Sequence, residues 1–173
     1  GMEHSEYCPE GNLLENCAPT EVQGDGMPLL GVVHDPTARV INRGVSGNAG
    51  VFSTAYDLSL FAAALMNGGE INGKRFLSNE SVQNMIQVPS DNAVDVGRAL
   101  GWDKYSSSSK IKGSGFSENT ICHTGYTGTS MVIDMDSKVA VILLTNRVHP
   151  EDKGSITSLR AAISTIVASS IVE

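Results

Sequence analysis

An α+β domain, with an antiparallel sheet flanked by helices, is what three stretches of the sequence predict. Residues 121–134 and 139–145 are rich in β-branched and apolar residues and bracket the polar pair Asp136-Ser137, the pattern of an antiparallel hairpin. Residues 54–66 open with a capping box and carry apolar residues at helical spacing. From Ser155 onward Ile156, Leu159, Ile163, Ile166, Val167 and Ile171 recur with the same period, so a terminal helix should lie on the sheet.

Residues 1–30 are rich in Pro, Gly, Asn and Glu without a sustained period and read as an irregular arm with short turns, leaving the helices and strands to residues 31–173. In the capping box Thr54 accepts the amide of Asp57, and the Asp57 carboxylate reaches back toward the cap. Leu58, Phe61, Ala62, Leu65 and Met66 then form one apolar face, and Gly68-Gly69 ends the helix. Asn72-Gly73 marks a tight turn, and Ser78 caps a second helix with Val82, Met85 and Ile86 on one side. Residues 106–117, dominated by Ser, Gly and Lys, form a loop. Residues 139–144 are apolar at both parities, which predicts a central strand covered on both faces.

The length of 173 residues and a hydrophobic fraction of 40% suit one domain with its own core. A formal net charge of -7 argues against nucleic acid or an anionic membrane surface as partner, since neither field would attract it. The longest apolar runs, 61–66 and 139–144, are far shorter than the roughly 20 residues that span a bilayer, so no membrane insertion is expected. Among the three cysteines, Cys8 and Cys17 enclose a short polar loop and suit either a disulfide or two free thiols, whereas Cys122 reads as a buried, inert thiol. Cys122 and His123 point to opposite faces of a strand, and no second pair has zinc spacing; no metal and no cofactor are expected. His4, His34 and His149 likewise share no metal-binding spacing.

The segment Cys122-His123-Thr124-Gly125-Tyr126-Thr127-Gly128-Thr129-Ser130 lies between strand-like runs and resembles the Lys/His-Thr-Gly element of serine β-lactamases and penicillin-binding proteins. Gly44-Val45-Ser46-Gly47-Asn48-Ala49-Gly50 is similar to that family's glycine-rich stretch, with Asn48 where histidine is common, and leads into Ser53-Thr54-Ala55-Tyr56-Asp57-Leu58. Ala18-Pro19-Thr20-Glu21, Gly31-Val32-Val33-His34-Asp35, Leu100-Gly101-Trp102-Asp103 and the stretch from Leu143 to Pro150 resemble successive landmarks of the esterase-like, class C-type branch. Gly1-Met2-Glu3-His4-Ser5-Glu6-Tyr7 resembles the stretch that follows that family's second catalytic motif. The resemblance implies a β-lactamase/DD-peptidase-like fold of which this chain is the C-terminal part, with the nucleophile upstream.

In that family Ser-x-x-Lys sets a lysine one helical turn from the serine to take its proton, Tyr-x-Asn or Ser-x-Asn moves the proton, and Lys/His-Thr-Gly grips the substrate. Ser107-Ser108-Ser109-Lys110 and Ser109-Lys110-Ile111-Lys112 spell the first motif, but in a Ser/Gly loop and at a place where the family order has no nucleophile. Ser90-Asp91-Asn92 spells a variant of the second, yet reads as a turn after the second helix; Tyr-x-Asn does not occur. The resemblance assigns substrate contact to His123 and Thr124, the oxyanion hole to the amide of Tyr126, and room for substrate against the backbone to Gly125. Strand alternation sends His123 and Thr124 to opposite faces, so their joint placement rests on the resemblance. Glu151 stands where a polar group near the substrate carboxylate is usual, and an acid there favours an esterase or peptidase over a β-lactamase.

The activity implied is opening of a lactam, ester or D-amino-acid amide through an acyl-serine, on a small-molecule or peptidoglycan-like substrate, by a periplasmic or secreted parent protein. The chain alone is expected to be inactive and to self-associate. The competing expectation is a non-catalytic module that keeps the cleft edge to bind cell-wall peptides or a partner.

Overall fold

The stretch expected to hold a two-stranded hairpin holds three strands. In the computed structural model, which describes residues 1–89 and 97–171, the strands are β1 (Glu6–Tyr7), β2 (Val51–Phe52), β3 (Glu70–Ile71), β4 (Lys74–Arg75), β5 (Thr120–Thr124), β6 (Ser130–Asp134) and β7 (Val139–Leu143). The helices are α1 (Gly11–Glu15), α2 (Ala55–Met66), α3 (Asn79–Ile86) and α4 (Thr157–Ser169). The main sheet is antiparallel in the order β5-β6-β7. Its first turn, 125–128, falls inside the run expected as one strand, because Gly125 and Gly128 interrupt it; Gly128 sits at φ 132°.

Period-two alternation sorts the sheet into two cores. Ile121, Met131 and Ile133 face Ala62 and Leu65 of α2, Val82 and Ile86 of α3, and Trp102. Cys122, Val132 and Val141 face Ile111, with Ile163 and Val167 of α4 packed against them. The expectation that residues 139–144 form a central strand is not met among the described residues, where β6 lies between β5 and β7 and β7 pairs on one side only. Apolar residues at both parities report the helices on both faces of β7, and cover on the faces is independent of pairing at the edges.

Every residue of β6 is buried, Ser130 and Asp134 included. Burial alone would raise the Asp134 pKa, but hydrogen bonds from the Ser117 hydroxyl (2.5 Å) and amide (3.1 Å), from Ser137 and from the Asp136 amide hold it below the usual carboxylate range.

Local signals fall where expected for the most part. Thr54 Oγ1 accepts the Asp57 amide at 3.2 Å, Ser78 Oγ accepts that of Ser81 at 3.0 Å, and Asn72-Gly73, both with positive φ, join β3 to β4. Three expectations need correction. The Asp57 carboxylate does not turn back to the cap; it accepts from the His4 amide (2.7 Å) and the Ser5 hydroxyl (2.8 Å). Residues 107–112 form a 3-10 helix, because Ser106 Oγ caps it by accepting from the Ser108 amide at 3.1 Å and Ile111 anchors it in the core. The arm over residues 1–30 carries β1, paired with β2, and the short α1.

The arm is tied to the distant loop after β7. The Val22 amide donates to Pro150 O (2.9 Å) and Asn146 Nδ2 to Pro19 O (2.5 Å). All three thiols are free. Among the described residues no helix is long and apolar enough to cross a membrane. Ser90-Asp91-Asn92 lies outside the described residues.

Candidate functional site

β5 delivers His123 and Thr124 to the end of the sheet, and the ladder keeps strict alternation to its last pair. His123 pairs with Met131 and is exposed on the α2 face; Thr124 pairs with Ser130 and shares the parity of Cys122, on the α4 face. The register therefore separates the two side chains. The His123 ring stands edge-on to Trp102 (centroids 6.5 Å apart, 87°), which stacks on Phe61 (6.4 Å, 16°). Arg98 Nη2 lies 3.5 Å from His123 Nε2. A guanidinium only donates, so a hydrogen bond between the two would use the imidazole Nε2 as acceptor. Arg98 is itself held by the buried Asp103 carboxylate at 3.1 and 3.2 Å.

The turn that follows is built by engaging carbonyls. The Gly125 amide donates to Thr129 O (2.8 Å), and the Gly128 amide to Gly125 O (3.2 Å). Arg160 Nη2, from α4, donates to Gly125 O (2.9 Å) and Thr129 O (2.8 Å). Arg147 donates from Nε to Tyr126 O (2.9 Å) and from its amide to Thr127 O (2.8 Å), and Thr145 Oγ1 donates to Gly128 O (2.6 Å). Among the described residues the Tyr126 N–H has no acceptor. Gly125 has a packing role as well, since a Cβ there would collide with Thr129 Oγ1.

The Tyr126 side chain is fixed although 65% exposed. Its hydroxyl donates to Asp152 Oδ2 at 2.5 Å, and Asp152 also pairs with Arg147 Nη1 at 2.5 Å. The Arg147 guanidinium sits 4.4 Å from the Tyr126 ring centroid and the His34 ring stacks at 5.7 Å. The Tyr126 hydroxyl first, and then Arg147, hold the Asp152 carboxyl below its usual pKa. Glu151, the acid expected to repel an anionic substrate, instead pairs with Lys153.

Residues 1–164 match the family model described as Beta-lactamase. The chain belongs to the beta-lactamase family. It is similar to an N-acetylmuramyl-L-alanine amidase of Bacillus subtilis (strain 168), at 37% identity over 86% of this chain and 36% of that protein. It is also similar to a Salmonella typhi protein named "Putative D-alanyl-D-alanine carboxypeptidase", at 31% identity over 86% of this chain and 38% of that one. A crystal structure of a family VIII carboxylesterase aligns with a TM-score of 0.49 and 16% identity over 69% of this chain and 33% of its own. The chain thus spans little more than a third of the length of the curated relatives it matches.

In this beta-lactamase-family chain neither literal Ser-x-x-Lys match forms a serine–lysine hydrogen bond among the described residues. Ser109 Oγ donates to Ser106 O (2.7 Å), while Lys112 Nζ donates to Lys104 O (2.6 Å) and Thr120 O (3.4 Å). Burial lowers the Lys112 pKa. Its ammonium joins the 3-10 helix to β5, a structural job.

Asp152 and Arg160 lie outside every landmark stretch that resembles the family, and His34 and Arg147 lie in resembling stretches that assigned them no role. Arg160 sits between Leu159 and Ala161 in the terminal helix, where the apolar period is only partly the buried face: Ile163 and Val167 pack on the sheet, Leu159 and Ile166 are 47% and 65% exposed, and Arg160, Ser164 and Ala168 are buried. Burial pushes the Arg160 pKa down, and the charge of Arg147 adds to this. A basic residue inside an amphipathic period was the available clue.

Cys122 is buried in β5, and burial, followed by the nearby Asp103, pushes its thiol up to about 12. At pH 8 that leaves about one thiolate in ten thousand. Iodoacetamide is therefore expected to alkylate the exposed Cys8 in the native chain and to reach Cys122 only in denaturant. Peptide mass mapping decides this, and comparable native labelling at both positions would refute it. Among the described residues no cluster of three potential metal ligands occurs.

Proposed function

We propose that this chain forms one wall of the acyl-serine site of a hydrolase acting on an amide, lactam or ester. His123 and Thr124 contact the substrate, Gly125 lets it approach the backbone, and the Tyr126 N–H receives the oxyanion. The Ser-x-x-Lys and Tyr-x-Asn groups come from a segment N-terminal to this one. The serine gives its proton to the lysine as its oxygen bonds to the carbonyl carbon, and the C–N or C–O bond breaks as the leaving atom takes that proton. Water then attacks the acyl carbon, releasing the acid and returning a proton to the serine oxygen.

The single observation that carries this reading is the Tyr126 N–H, without an acceptor among the described residues while the neighbouring carbonyls are held, beside an exposed His123. A donor fixed before charge develops is what oxyanion stabilisation requires. The names of the two curated relatives support amide hydrolysis, and support a peptidoglycan-like substrate for a periplasmic or secreted parent. The test is reconstitution with the upstream half in trans. His123→Ala should lower kcat/KM about tenfold, the worth of one hydrogen bond. An active pair with unchanged kcat and KM would remove His123 from the site.

The same reading includes self-association of the chain alone. The outer edge of β7 has no partner strand among the described residues, and Leu159 and Ile166 are exposed on α4. Light scattering across a dilution series is expected to show a concentration-dependent dimer or larger species. A monodisperse monomer that binds no hydrophobic dye would count against it.

A further inference from the structure

We propose that Arg160 is a positioning residue for the oxyanion site: its buried guanidinium, donating to Gly125 O, aims the Gly125–Tyr126 peptide and strengthens the Tyr126 N–H as a donor. This rests on the reading of that N–H given above.

The Gly125–Tyr126 bond is trans. In a trans peptide the C=O and N–H point in opposite directions, so holding one aims the other. Gly125 O is held by Arg160 Nη2 at 2.9 Å from the α4 side, which turns the Tyr126 N–H away from α4. Arg147 Nε grips the next carbonyl, Tyr126 O, at 2.9 Å. Two guanidinium groups thus hold the carbonyls of the peptide units on either side of the Tyr126 Cα.

The charge of Arg160 is the informative part. The residue is only 8% exposed, its Nε is buried without an acceptor, and among the described residues no carboxylate pairs with it. A neutral amide side chain could bridge the carbonyls of Gly125 and Thr129 with a smaller desolvation cost. What an unpaired cation adds is polarisation. A charge-assisted hydrogen bond to a carbonyl draws electron density through the peptide and makes the N–H at its other end a better donor. A developing oxyanion would feel that gain, and a neutral ground-state carbonyl would feel it far less.

The test compares Arg160→Lys, Arg160→Gln and Arg160→Met. In the chain itself, NMR is expected to move the Tyr126 amide proton upfield in the Gln and Met variants, with the β5–β6 cross-strand contacts kept and the Lys variant nearer the parent. In the pair reconstituted with the upstream half, kcat should fall about tenfold in Arg160→Gln with KM within about twofold. Arg160→Lys should retain more activity, and affinity for a boronate transition-state analogue should fall in step with kcat. Equal losses in the Lys and Gln variants, or an unmoved Tyr126 resonance, would leave Arg160 a mere staple and overturn the proposal. If Arg160→Met does not fold, the Lys and Gln pair still decides. Replacing the Tyr126 nitrogen by an ester oxygen separates the two readings: full activity there sinks the oxyanion assignment, whereas a loss of about a hundredfold or more there, with Arg160→Gln unimpaired, sinks only the role of Arg160.

Discussion

Incubated alone, the chain is expected to turn over chromogenic cephalosporins and short-chain p-nitrophenyl esters at the rate of buffer. An attacking serine needs a base within hydrogen-bond reach, and the two spelled Ser-x-x-Lys matches do not supply one. Ser109 is turned to Ser106 O, and Lys112 is turned to Lys104 O and Thr120 O. On the proposed reading the Tyr126 N–H would lower the barrier of a reaction whose first step needs a nucleophile from the upstream segment. Adding the upstream half should raise the rate by orders of magnitude, since nucleophile and base act as a unit. Turnover by the chain alone that disappears in Ser107→Ala or Ser109→Ala would defeat this expectation, as would labelling of either serine by a fluorescent penicillin. If the completed pair binds cell-wall peptides without turnover, the non-catalytic module is the better account.

How far the sequence could be read depended on the range of the physics at each place. Thr54, Ser78 and Asn72-Gly73 act on backbone within three residues, so their roles survive into the structure. The segment from His123 to Tyr126 could be matched to a family element because its residues are contiguous, and its role is the proposal made above. β7 was expected at the centre and pairs on one side only among the described residues, because hydrophobicity reports cover on the faces of a strand and carries no information about which strand lies beside it. The supports of the turn were out of reach for another reason. Arg147 and Arg160 meet it from 21 and 35 residues away, and each donates to a backbone carbonyl, which every residue has. A basic residue within the apolar period of the terminal helix hints at Arg160, but no side-chain pattern names the carbonyl it meets.

Asp57 shows the same limit in a single residue, and Asp57→Ala is expected to be the most destabilising polar substitution proposed here. The side chain is 0% exposed at the third position of α2. One oxygen, Oδ2, accepts both the His4 amide at 2.7 Å and the Ser5 hydroxyl at 2.8 Å, and Ser5 Oγ lies 2.7 Å from Ser53 Oγ. The carboxylate thereby fastens the start of the chain, and with it β1, to the beginning of α2. Truncation to alanine strips the acceptor from two donors and removes a negative charge from the helix N-terminus. Together these should cost about 3 kcal/mol. Asp57→Asn keeps an oxygen where Oδ2 stands, so it should cost about 1 kcal/mol, largely the lost charge. Urea unfolding monitored by circular dichroism measures both, and limited proteolysis should cut within residues 1–8 faster in Asp57→Ala. If the alanine variant unfolds within about 0.5 kcal/mol of the parent, as an ordinary surface substitution would, the buried carboxylate does not hold the arm to the helix.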